Sequence, residues 1–591
     1  MFGVKLIKNR IFDLFKNKKT MIRIPYGISN YETLVGEGYI YIDRTNFIEL
    51  IEERYRYIFF LRPRKFGKSL FLSMLDYYYN IKYKDDFERL FGQFYIGRKP
   101  TKMANQYLIL RLDFSQIETS SFEKTYDGFT TNVRFGAENF YGRYPQFFNE
   151  ADIERVRKYD NPSAIIQDVI NQVELKTSYK IYLLIDEYDH FANEILSFRY
   201  NEFMEMVGQN GFVRKFYETI KVGTQKAVID RLFVTGVSPI TLDSLTSGFN
   251  IATNISLRPE LNELMGFVET EVVDILKGVG IADVDLDHVL GEMREWYNGY
   301  KFSVDAENRV YNSNMVLYFA REFLYNKKYP TELLDPNIAS DYNKIRKSFK
   351  IKGREKENLV HLDKLVKTGT LKSELVQSFD LEKRFDTADF ISLLFYQGII
   401  TIWKNDLDNI IFKMPNYVIK QLYFQYFHKV ILEQSELDEE GINVKDKINQ
   451  LAKFNDFVPL VRYAEEVLQE LSLRDKMNFD EKHVKTIFTS AFYTSKVYHI
   501  HNEFEVKKSK TEKGYVDLLL TKRPPFEPKF QFVIEFKYLK KESAHKAETV
   551  KQQAIKQLQA YLEHDERLQK LEELKAYVIV FVGNKGEIVE L

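Results

Sequence analysis

The sequence predicts a multidomain α/β protein with a parallel-sheet domain over 21–260, a helical and winged-helix-like region over 261–430, a helical connector over 431–480 and a second α/β domain over 481–591. Three observations predict it. The chain has 591 residues, 45% of them hydrophobic and 29% charged, which supplies apolar surface for several cores and is too long for one. Four runs, YIFFL at 57–61, YLILRL at 107–112, IYLLI at 181–185 and RLFVTG at 231–236, are apolar without alternation, and long helical patterns separate them. Such strands belong to a parallel sheet covered on both faces. A second group, expected at 497–508, 515–523, 529–540 and 575–582, is flanked by helices near 482–495 and 543–563.

Between the two groups, DFISLLFYQGI, ITIWKN, NIIFKMPN and YVIKQLYFQYF read as helix, hairpin and helix, the winged-helix-like pattern. The first twenty residues interrupt their apolar positions with Lys and Arg and lack a cleavage site, so they read as an extension rather than a secretory leader. No run of 18 apolar residues occurs, so no membrane span is expected and the cytoplasm is the expected location. Lys plus Arg and Asp plus Glu each total 85, which leaves no global field to attract nucleic acid or membranes. The absence of cysteine excludes disulfides, thiolate zinc sites and cysteine nucleophiles.

The strand YIFFL runs into Arg62, Pro63, Arg64, Lys65, Phe66, Gly67, Lys68 and Ser69, and then into a helical pattern. This is the strand, loop, helix setting of a phosphate-binding loop, in which backbone N–H groups and the helix N-terminus hold phosphates. Lys68 is placed to reach the β and γ phosphates of ATP, and Ser69 to ligate Mg²⁺. Arg62 stands where the general motif has its first glycine. The strand IYLLI ends in Asp186 and Glu187, which suit a metal-holding carboxylate and a neighbour that orients the attacking water. The strand segment RLFVTGVSP supplies Thr235 and Ser238, where a polar side chain could sense the γ phosphate or cap the loop. The nucleotide-contacting set is therefore Arg64, Lys65, Phe66, Gly67, Lys68, Ser69, Asp186 and Thr235, with Ser69 and Asp186 on the metal and Glu187 catalytic.

In the C-terminal α/β region, Asp517 lies early in one expected strand, and Glu535 and Lys537 lie two apart on the next. Residues two apart in a strand share a face, which Asp517 can join across the ladder. Two carboxylates can hold Mg²⁺, and a lysine beside it can act on the attacking water and the charge building on a phosphodiester. Asp517 and Glu535 are the expected metal ligands, and all three residues are candidate catalytic groups. Residues 501–560 carry 13 Lys or Arg against 8 Asp or Glu, a local surplus that fits either a phosphate-attracting surface or a solvated face. His499 and His501 read as packing or surface residues.

The segments IPYGISNYETLVGEGYIYIDRTNFIELIE, FFLRPRKFGKSLFLSML, IDEYDHFANEIL, RLFVTGVSPITL and WYNGYKFS together resemble the AAA-ATPase-like family, whose members usually carry a C-terminal PD-(D/E)XK nuclease-superfamily domain. The resemblance covers about 21–430 and 485–585. It implies a P-loop, AAA-like ATPase domain and a restriction-endonuclease-like α/β domain. Within that family an arginine at position 62 is the norm. Arg44 departs from its more usual lysine, and 41–45 reads either as a base-contacting segment or as a strand-to-helix turn. The resemblance further implies that Asp517, Glu535 and Lys537 are catalytic, that Gln557 matches a helical glutamine, and that an upstream acid, Glu503 or Glu505, completes the site. Tyr515 stands where the family often has arginine. ATP and Mg²⁺ are the implied cofactors, and nucleic acid, DNA favoured, is the implied partner. A homo-oligomer in which a neighbour's arginine completes the ATPase site is also implied. The competing reading is a nucleotide-dependent scaffold whose nuclease-like domain binds without cutting.

Overall fold

The computed structural model describes residues 22–196, 200–208, 210–240, 251–338, 355–379, 385–435, 443–475, 480–509 and 511–591, so the N-terminal extension lies outside the described residues. The chain divides into two compact units. The first comprises the described residues of Met1–Tyr325 and Leu334–Asn416, and the second those of Asn326–Leu333 and Tyr417–Leu591.

In the first unit, the strands β1 (Tyr57–Leu61), β2 (Tyr107–Asp113), β3 (Lys180–Asp186), β4 (Ile229–Gly236) and β5 (Thr253–Asn254) form a parallel sheet in the order β2-β3-β4-β1-β5. Six of the seven residues of β3 are buried and four of the five of β1, which is why these strands read as unbroken apolar runs. Helices cross between them: α1 (Lys68–Tyr79), α2 (Phe122–Arg143), α3 (Pro162–Lys176) and α4 (Phe212–Gln225). Ser121 caps α2, and Asn161 caps α3 with Pro162 in its first turn. The C-terminal ends of β1, β3 and β4 adjoin in the sheet, and open α/β sheets bind ligands at that edge.

Later in the same unit, α5 (Thr387–Tyr396) starts at an Asp386 capping box and leads into a hairpin of β7 (Thr401–Asp406) and β8 (Asn409–Lys413). The strand β6 (Thr370–Ser373) adds to β8, giving an antiparallel sheet of order β6-β8-β7. The helix and hairpin match the sequence pattern, whereas β6 is four residues long and leaves no periodic signal.

The second unit holds a mixed sheet in the order β13-β12-β11-β10-β9. Its strands are β9 (Tyr498–Lys507), β10 (Lys513–Lys522), β11 (Gln531–Leu539), β12 (Leu574–Val582) and β13 (Lys585–Glu590). Only the pair β11 and β12 is parallel. On one face, α7 (Ala547–His564) buries Ala554, Leu558 and Tyr561 against Val516, Leu519, Val533, Ala576 and Val578. On the other, α6 (Glu481–Phe492) sets Phe488 against Phe536 with ring centroids 4.8 Å apart. The alternation of Val533 and Phe536 between these helices follows the strand's twofold period. No helix among the described residues is long and apolar enough to cross a membrane.

Candidate functional sites

In the first site, Gly67 caps α1 at φ 103°, a conformation open to glycine, and a side chain there would meet no neighbouring atom, so the position is set by backbone rather than by crowding. Lys65 also takes a left-handed φ, 65°. The Lys68 ammonium is folded back on the carbonyls of Arg62 and Pro63 at 3.1 and 3.3 Å, and lies 3.6 Å from Glu187 Oε1. Asp186 accepts hydrogen bonds from the Thr235 hydroxyl at 2.6 Å, from the Glu187 N–H at 3.1 Å and from Ser69. Burial pushes its carboxyl pKa up, and the Thr235 and Ser69 hydroxyls oppose that rise. Lys68, Ser69, Asp186, Glu187 and Thr235 are thus linked in one hydrogen-bonded and charged cluster at the ends of three strands. Its acids and hydroxyl could hold a hard divalent cation, and its lysine an anionic phosphate.

Three of the expected segments acquire specific partners. The Phe66 ring is buried edge-on against Tyr300 and Phe302, at 5.0 and 5.4 Å, so only its backbone is free to serve a ligand. Ser238 gives its hydroxyl to Asp189, which also accepts the Val237 and Ser238 N–H groups and ties β3 to β4. At 41–45 the structure has a turn: Asp43 accepts the Thr45 N–H and hydroxyl at the start of the helix Asn46–Arg54, and Arg44 makes a two-pronged pair with Glu271.

Arg62 explains the missing glycine. Its guanidinium is buried between the rings of Phe60 and Phe302, 4.2 and 4.1 Å from their centroids, and donates to the carbonyls of Leu61, Ser256 and Leu261. Burial pulls its pKa down to about 9, which still leaves it charged at neutral pH. Gly398, at φ 80°, closes the opposite side, where a Cβ would stand 2.9 Å from that of Pro63. The loop is therefore shaped from outside by WYNGYKF and LFYQGI. Arg62→Gly, which restores the general motif, is expected to destabilise the protein by roughly 3 kcal/mol or more, because it strands buried carbonyls and opens a cavity between two rings. Chemical denaturation measures this, and an unchanged midpoint would contradict the role.

The second site forms where β10 and β11 part. Their ladder runs through Leu518 opposite Ile534 and stops. The freed Phe536 N–H is taken by Asp517 Oδ2 at 2.7 Å, which fixes that carboxylate between the strands. Glu535 Oε1 accepts from Lys537 at 2.8 Å and from Gln557 of α7 at 3.0 Å. Glu535 is 2% exposed, and its second oxygen, Oε2, is buried without a hydrogen-bond partner among the described residues. An orphaned carboxylate oxygen in a buried acidic cluster is the donor a hard divalent cation takes, so Asp517 and Glu535 fit a metal pair. Burial pushes both carboxyl pKa values up, and the Asp517 charge adds to the rise at Glu535.

Two further side chains reach this site from the first two turns of α6, and sequence reasoning missed both. Lys485 lies 2.5 Å from Asp517 Oδ1 and 2.9 Å from Glu481 Oε1, and Glu481 Oε2 lies 3.9 Å from Lys537. Glu481 is thus a further acid that the structure brings to this cluster. Glu503 takes φ 49°, which breaks strand alternation, and is exposed, and Glu505 is exposed and paired with Lys513. The available signal was Asp480, whose side chain caps α6 and sets Glu481 in its first turn, one helical turn before Lys485. Tyr515 is exposed, its hydroxyl 3.4 Å from Glu505. His499 packs edge-on to Tyr417, and His501 pairs with the Thr521 hydroxyl.

Comparison with known proteins agrees with this division. Residues 25–246 match the family described as predicted AAA-ATPase, and residues 479–591 match the PD-(D/E)XK nuclease superfamily. The chain is also similar to an "uncharacterized protein in vnfD 5'region" of Azotobacter chroococcum mcd 1, with 27% identity over 343 residues. That alignment covers 55% of this chain and 57% of the relative's length.

Proposed function

Because the chain joins an AAA-ATPase-like domain to a PD-(D/E)XK nuclease-superfamily domain, we propose that it hydrolyses ATP with Mg²⁺ at the first site and cuts nucleic acid with Mg²⁺ at the second. The observation that supports the nuclease reading is one cluster of Asp517, Glu535 and Lys537 in which Glu535 Oε2 is buried and unpartnered. Asp517 and Glu535 would hold the metal, which supplies charge neutralisation and a more acidic water. Lys537, fixed by Glu535, is positioned to hold the attacking water and to offset charge on the phosphodiester. Gln557 keeps the Glu535 carboxylate oriented.

At the ATPase site, Ser69 and Asp186 would hold the metal, and Lys68 would leave the two loop carbonyls for the phosphates. Glu187 would then accept a hydrogen bond from the attacking water. Glu187→Gln is expected to bind ATP normally and to hydrolyse it roughly 100-fold more slowly, since the amide keeps the shape and loses the base. Phosphate release beside a nucleotide-binding titration checks this, and normal turnover would move the role to another residue. The nuclease reading is tested by incubating the purified chain with labelled DNA and RNA, single- and double-stranded, with and without ATP and Mg²⁺. Cleavage of none of them under any condition would leave a nucleotide-dependent scaffold.

A further inference from the structure

The metal pair already contains a cation. Lys485 places its ammonium 2.5 Å from Asp517 Oδ1, the one oxygen of that carboxylate not bound to the Phe536 N–H. A divalent cation held by Asp517 and Glu535 would compete with Lys485 for that same Oδ1, since Oδ2 is already engaged by the Phe536 N–H. Lys537 is not in this position, since it holds Glu535 Oε1 and leaves Oε2 open. Lys485 has a second partner, Glu481 Oε1 at 2.9 Å, four residues back on the same helical face. Glu481 is more exposed than Asp517, with about a third of its side chain accessible against 9%.

We propose that Lys485 is a resident counter-ion of the second site, which a divalent cation must displace from Asp517 onto Glu481 before the site is loaded. The inference rests on the reading of Asp517 and Glu535 as metal ligands. With no metal, three carboxylates face two ammonium groups, and Asp517, largely buried, keeps a partner that offsets its loss of water. Loading exchanges that partner. The cost of breaking the pair then raises the metal concentration the site requires, and Glu481 keeps the released ammonium nearby at little expense, because an exposed pair is weak and easily remade.

The test uses the full chain, Mn²⁺ as the probe and no nucleotide, with Asp517→Asn as the background that identifies heat arising at this site. Lys485→Met is expected to bind Mn²⁺ roughly tenfold or more tightly than wild type by calorimetry, because a charge-assisted hydrogen bond no longer has to be broken. Mn²⁺ should also raise the melting temperature of Lys485→Met more than that of wild type, and Lys485→Gln repeats both readings should the methionine variant fold poorly. In wild type, saturating Mn²⁺ should increase acylation of Lys485, read by peptide mass spectrometry, as the ammonium leaves the buried carboxylate. The proposal requires both results. Tighter binding with unchanged labelling would reduce Lys485 to an electrostatic influence at a distance and overturn displacement. Equal or weaker binding in the variant, with wild type binding above background, would overturn the proposal and leave the metal ligands standing. Binding in neither protein would remove the metal reading and this inference together.

Discussion

Asp517→Asn and Lys537→Ala are each expected to lower metal-dependent phosphodiester cleavage by roughly 1000-fold or more, about 4 kcal/mol of transition-state stabilisation. Asparagine retains the acceptor for the Phe536 N–H, so the parted strands keep their geometry, but it lacks the charge a metal ligand supplies. Alanine at 537 removes the group paired with Glu535 and, in the proposed mechanism, the one that holds the attacking water. Breaking that ion pair for structural reasons alone would cost at most a few kcal/mol of stability and would not change the rate in the folded protein. The discriminating measurement is single-turnover cleavage by variants shown to be folded, with ATP hydrolysis followed in parallel. Rates within threefold of wild type in both variants would exclude this cluster as the cutting site.

The second large effect is at the other end of the chain. Lys68→Ala is expected to weaken ATP binding by roughly 100-fold, because in the proposed site its ammonium makes charge-assisted contacts to the β and γ phosphates that alanine cannot make. The fold should survive, since the ammonium's present partners are two loop carbonyls and the partly exposed Glu187 carboxylate, which water can satisfy once the chain is shortened. Calorimetric titration with a slowly hydrolysed ATP analogue measures the change. An affinity equal to that of wild type would dismiss 62–69 as the nucleotide loop.

Legibility in the sequence followed burial. The strands β1, β2, β3 and β4 are covered on both faces, and their apolar runs announce them and the acids at their ends. The strand β13, KGEIVE, has no buried residue and ends the second sheet as an exposed edge, so its composition resembles a loop. The pair Glu535 and Lys537 could be read because strand period is local. Glu481 could not be read the same way, because its membership depends on how α6 crosses the sheet, a long-range property. Glu503 shows the limit of such reasoning: period two assumes extended backbone, and a left-handed residue interrupts it.

The burial of Arg62 also determines how the protein can be taken apart. The residues that complete its pocket, Ser256, Leu261 and Phe302, all lie beyond residue 246, where the matched ATPase segment ends. A fragment stopped at that boundary would keep every residue proposed to face nucleotide, yet expose an arginine flank with no acceptors on one side and a solvent-filled gap on the other. The nucleotide loop is therefore not a portable cassette. Its inheritance, its transplantation into another protein and its expression as a truncated ATPase all require the chain to continue at least through Phe302, and through Gly398 if the wall beside Pro63 is to be kept.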